Sequence, residues 1–137
     1  MKAMTLFLLI TGVLLLVQTG TAGAETQFLC SITESLECSE GVGCGPPELT
    51  IAPPTFFHVD LERKVITLLA PAERRGEETV IDLAKETSDG WLLAGVQSDR
   101  SWNVYLSHAG HLTISVTMDG TIWSTFGRCM PAPDAEP

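Results

Sequence analysis

Between Glu25 and Glu62 the sequence contains no lysine or arginine, yet that stretch holds seven acids: Glu25, Glu34, Glu37, Glu40, Glu48, Asp60 and Glu62. The whole chain sets 8 basic residues against 17 acidic ones, a formal charge of −9. A nucleic-acid partner needs a basic face, so this balance argues against one. Two roles remain for the acids: keeping a small domain soluble, and attracting a basic protein. Catalytic signatures are missing as well. There is no Gly-x-Ser-x-Gly elbow, and Gly41-Val42-Gly43-Cys44-Gly45 lacks the lysine and helix that a phosphate cradle needs. Glu77 and Glu78 are adjacent, and adjacent strand residues face opposite ways, so they make no acid-base pair. After residue 24 no apolar run approaches the about 20 residues of a membrane helix.

What is present begins with an address. Lys2 precedes an apolar run over residues 6–17, too short to span a bilayer, and Ala22-Gly23-Ala24 supplies a small-residue cleavage site. The pattern predicts a cleaved signal over 1–24 and a mature chain from Glu25. Cys30 follows Gln27-Phe28-Leu29, without the small residue expected before an acylated cysteine. A periplasmic or secreted protein with no membrane span in its mature chain is expected. Its 113 residues suit one domain, with seven bases against 17 acids and a formal charge of −10.

An oxidising compartment turns Cys30, Cys38, Cys44 and Cys129 into candidate disulfides. Four cysteines allow three pairings. Cys38 and Cys44 bracket the flexible Ser-Glu-Gly-Val-Gly, which favours that pair and leaves Cys30 for Cys129. Zinc is the rival reading, but the spacing lacks two CxxC knuckles.

Residues 25–55 read as a loop-rich, cysteine-containing lead-in with one short strand near 28–32, because Pro46-Pro47 and Pro53-Pro54 disfavour helix and central strand. From residue 56 the segments are short, rich in β-branched and aromatic residues, and divided by turns. Strands are expected over 56–61, 65–69, 78–84, 91–97, 102–107, 111–117 and 122–129, with a flexible tail at 131–137. The fold expected is all-β: a disulfide-tied antiparallel up-and-down meander of about eight strands, one domain spanning 25–130. A barrel is favoured over a sandwich because closure removes exposed edges, and a Cys30–Cys129 bond would fasten the seam.

One hairpin admits a closer reading. Leu112, Ile114 and Val116 alternate with Thr113, Ser115 and Thr117 before Met118-Asp119-Gly120. A two-residue Asp-Gly turn would set Trp123 opposite Val116. A three-residue loop with a bulge at Gly120 would pair Val116 with Ile122 and Leu112 with Phe126. The second register gathers more apolar surface on one face and is preferred, which turns Trp123 away from the core.

Side-chain constellations are sparse. His108 and His111 flank Ala109-Gly110, where two imidazoles can converge on a zinc or copper ion; solvated turn histidines are the commoner case. His58 and Asp60 share one strand face, as an acid-base pair or an ordinary surface pair. Trp91, Trp102, Tyr105 and Trp123 all fall in the last four expected strands, as core residues or as a binding platform. Trp123, Trp102 and Tyr105 are the candidate binding residues, and no cofactor is expected.

Phe28-Leu29-Cys30, the Cys38/Cys44 pair, Val59-Asp60-Leu61 and Phe126-Gly127-Arg128-Cys129 before a proline together resemble small exported proteobacterial proteins of unknown function. That resemblance implies a periplasmic setting. The expected architecture is similar to that of periplasmic inhibitors of c-type lysozyme, which are small disulfide-tied β-barrels. Their loop carries Ser-Gly, then a basic residue and Tyr; Ser107-His108-Ala109-Gly110 departs from it, so no functional residue transfers. The expectation is a noncatalytic binding or inhibitory module whose partner is a basic envelope protein or a small apolar ligand. The alternatives are a metal-handling protein using His108 and His111, or a small hydrolase using His58 and Asp60.

Overall fold

The structure, a computed structural model, describes residues 25–48 and 53–133; the signal-like segment and the last four residues of the tail lie outside the described residues. Ten strands form one antiparallel sheet. They are β1 (Gln27–Ser39), β2 (Gly43–Gly45), β3 (Phe56–Asp60), β4 (Val65–Ala70), β5 (Glu78–Val80), β6 (Leu83–Thr87), β7 (Gly90–Gln97), β8 (Arg100–Ser107), β9 (His111–Met118) and β10 (Thr121–Pro131). Among the described residues a single 3-10 turn, at Ala72–Arg74, interrupts them. The sheet runs β5-β4-β3-β1-β10-β9-β8-β7-β6, with β2 paired to β1, and curls into a half-barrel.

The first strand lies against the last, as closing the meander at that seam requires. Cys30 stands directly opposite Cys129 and is bonded to it, and Cys38 is bonded to its own partner Cys44. Both expected bridges are present, and the seam is fastened where the sequence placed it. The sheet's two free edges fall elsewhere. The strand expected over 78–84 divides into β5 and β6, which run in the same direction and are joined by only Ile81 and Asp82. One bent segment therefore hydrogen-bonds β4 with its first half and β7 with its second. Ile81 plugs the bend at 1% exposure, and an Asp82 carboxylate oxygen accepts the Val96 N–H where a strand carbonyl would otherwise do so.

Strand periodicity sorts the faces. Trp102, Val104 and Leu106 of β8 point inward with Leu112 of β9, Leu93 of β7, Phe57 and Val59 of β3, and Ile66 and Leu68 of β4. Asn103 and Tyr105 point out. Phe28 and Cys30 place β1 in the same core.

β1 is far longer than the short strand expected near 28–32, because its second half finds a partner in β10 all the way to Ser39. A bulge at Thr33 divides it. Ile32 pairs with Gly127 and Glu34 with Phe126, leaving Thr33 extra, its hydroxyl donating to the Phe126 carbonyl. One inserted residue exchanges the faces beyond it. Phe28, Cys30 and Ile32 point inward before the bulge; Ser35, Glu37 and Ser39 do so after it.

The β9–β10 hairpin overturns the preferred register. Met118 pairs with Thr121 across a two-residue turn, with Asp119 at φ 23° and Gly120 at φ 71°. Two positive φ values mark the primed turn whose twist matches that of the flanking strands, and this match outweighs gathering Ile122 and Phe126 inside. Val116 faces Trp123, Leu112 faces Gly127, and Ile122 and Phe126 lie on the outer face at 37% and 40% exposure. Trp123 consequently shares the inner face with Val116, which packs on the core, instead of pointing away from it.

Among the described residues no helix is long and apolar enough to cross a membrane. Two disulfides with no free cysteine fit an oxidising compartment.

Candidate functional site

The inner face changes character along the strands. Toward the start of β1 and the end of β10 it is dry: Cys30, Val59, Leu93, Val104, Leu106 and Leu112 are each at most 2% exposed. Toward the far end the same face opens. There a cross-strand row runs Gly95, Trp102, Val116, Trp123, Glu37 over β7, β8, β9, β10 and β1. Val116, Trp123 and Glu37 are half-buried, as are Ser35, Ser39, Thr121 and Thr125 around them.

Each position has a local cause. Trp102 packs flat over β7 because residue 95 is glycine: a Cβ there would lie 2.5 Å from Trp102 Cζ2. Its ring is buried, and its Nε1–H has no partner among the described residues. Trp123 is brought inward by the two-residue turn, and Glu37 by the bulge. The two meet as a directly opposed pair, and Trp123 Nε1–H donates to Glu37 Oε2 at 2.9 Å. Opposed hydroxyls bracket them: Ser35 with Thr125 and Ser39 with Thr121, each at 3.2 Å.

An indole ring fixed by its N–H beside a carboxylate is chemically specific. Glu37 keeps lone pairs for a further donor, and the indole face attracts a cation. The outer rim adds exposed Glu34, and Glu40 reaches over the Gly120 turn beside exposed Asp119. Glu37 and Glu40 of the acidic stretch thus meet Trp102 and Trp123 of the aromatic half at one end of the sheet.

The remaining candidates scatter. Tyr105, 37% exposed, sits on the outer face between Leu92 and Thr113, so it does not join Trp102 and Trp123. His111 lies opposite Arg128, whose Nη1 is 3.0 Å from His111 Nε2. A guanidinium only donates, so this nitrogen's lone pair is engaged. His108 lines a cavity at the opposite end of the half-barrel. Among the described residues no group of three or more His, Cys, Asp or Glu is placed to hold a metal ion. Asp60 is buried at 4% exposure, and its Oδ1 accepts the Arg63 N–H at 2.8 Å, which stabilises the β3–β4 turn.

Sequence reasoning missed Glu37, Ser35 and Ser39 as inner-face residues. The signal was there: an unbroken alternation Phe28, Cys30, Ile32 puts Glu34 next in the core, and a carboxylate at a core position announces a shift of register. No known family model matches this chain, no curated protein matches it, and no solved structure matches it.

Proposed function

We propose that this protein is a noncatalytic binding or inhibitory module, exported to the periplasm or secreted, that captures a basic protein by seating a lysine or arginine on Trp123 and Glu37. The observation that carries this reading is the Trp123–Glu37 hydrogen bond on a half-buried concave face. A cation resting there stacks on the indole and pairs with the carboxylate; both contacts gain strength where water is partly excluded. Tryptophan is a frequent anchor of protein interfaces. Glu34, Glu37 and Glu40 of the acidic stretch, with Asp119 of the β9–β10 turn, steer a basic partner to the same end. The cleaved signal assigns the compartment, and an envelope-derived sample should begin at Glu25 by mass spectrometry.

Calorimetric titration against a panel of basic secreted proteins, c-type lysozyme first, tests the binding. Saturable binding by one panel member, reduced at least tenfold by Trp123→Ala and by Glu37→Gln, is expected. Binding that ignores both substitutions and vanishes in salt reports bulk charge attraction and overturns the reading, as does no binding by any member.

A further inference from the structure

The opposite end of the half-barrel holds a second, separate feature. A cavity of about 470 Å³ opens there, within the range of small-ligand sites. Its walls are Phe28, Trp91 and Leu106, with Met130 at the edge. Trp91 stands between Glu86 on β6 and Leu106 on β8 in one inner-face row, so aromatic wall and carboxylate are neighbours by register. The titratable groups lining the cavity are Glu25, Glu86 and His108.

We propose that this cavity binds a small organic ammonium ion with an apolar body, independently of the surface at the far end. The apolar walls bury the body, the Trp91 face attracts the charge, and Glu25 and Glu86 compensate it. Carboxylates at the mouth exclude anionic amphiphiles such as fatty acids by like-charge repulsion. Cleavage before Glu25 adds one α-ammonium to the rim and leaves two carboxylates against it.

Three soluble probes of one shape decide the matter: benzyltrimethylammonium, benzyl alcohol and phenylacetate, titrated at pH 8, above the ordinary histidine range. The readout is the Trp91 indole N–H resonance in a two-dimensional nitrogen-correlated spectrum, identified by its loss in Trp91→Phe. The cation should shift that resonance saturably, the neutral probe should bind about fivefold more weakly, and the anion should leave it unmoved. Glu86→Gln, which retains the wall, should weaken the cation toward the neutral probe's affinity and leave the neutral probe unchanged. Equal binding of all three probes, preference for the anion, or no shift with the cation overturns the proposal. The outcome says nothing of Trp123, so this site and the proposed function fail separately.

Discussion

The two halves of β1 belong to one strand and share one neighbour, β10, yet they face different media. Before Thr33 the inward side chains are Phe28, Cys30 and Ile32; after it they are Ser35, Glu37 and Ser39. The first set closes a core, whereas the second lies half-buried beside Trp123. Composition accounts for this only together with the bulge. Were Thr33 paired in the ladder as an ordinary strand residue, Leu36 and Cys38 would turn inward and Glu37 outward. A single inserted residue therefore decides that the acidic stretch contributes to a concave surface.

The sharpest test of that contrast is to delete Thr33. Ile32 then joins Glu34 directly, the pairs Ile32–Gly127 and Glu34–Phe126 follow without a break, and Glu37 stays inward and Cys38 outward. Cooperative urea unfolding with both bridges intact is expected; loss of cooperative unfolding, or two thiols titratable at Cys38 and Cys44, would show that the second half of β1 depends on the bend of the bulge and not on register alone.

Next come the bridges themselves. Cys30 and Cys129 are 99 residues apart, and in the chain-entropy picture a loop of that length is worth about 4.7 kcal/mol. Cys38 and Cys44 are 6 apart, worth about 2 kcal/mol on the same account. Replacing each pair by alanine and comparing urea midpoints should reproduce that order. A larger loss from the short loop would move the stability of the molecule to its open end.

Core truncation probes the same contrast side chain by side chain. Leu112→Ala, at the dry end, should cost about 2–5 kcal/mol, while Val116→Ala at the half-buried row should cost about 1 kcal/mol. Gly95→Ala forces the Trp102 ring off β7, and about 1–3 kcal/mol is expected from the overpacking. Its near-ultraviolet circular dichroism should change with the stability.

The smallest effect belongs to neither half. On the outside, beyond β4, the Arg74 guanidinium donates to Glu77 at 2.7 Å and holds its carboxyl below the usual range. A depressed folded-state value means this contribution is complete above the unfolded carboxyl range and disappears as pH falls through the folded one. The pair is exposed, so the contribution is small: Glu77→Gln should lower stability only slightly at pH 7 and not at all once the pH is below the folded carboxyl range. A clear loss at neutral pH would contradict its peripheral role.

Much of this fold is written in local signals. Turn residues and alternating β-branched segments place the strands from residue 56 onward, and the oxidised cysteines place the seam. What escaped was register. Asp119-Gly120 fits both a two-residue turn and a bulged three-residue loop, and counting apolar residues chose the second. The winning term was backbone twist, which no tally of apolar residues contains. Likewise Thr33 carries no mark of its own; only Glu34, falling where a core residue should stand, betrays the shift. The candidate site needs both events, turn and bulge, so its aromatic half was legible as composition and its geometry was not.

The Cys30–Cys129 bond has a mechanical consequence. Ala132 N–H donates to the Gln27 carbonyl, so the two ends of the domain leave side by side at the bridge. A force applied to those ends passes from one terminal strand to the other through two sulfur atoms, and the residues between them carry no tension. Oxidised, the domain behaves under load as a short inextensible link. Reduced, the same pull would unzip β1 from β10 pair by pair, starting at the core end.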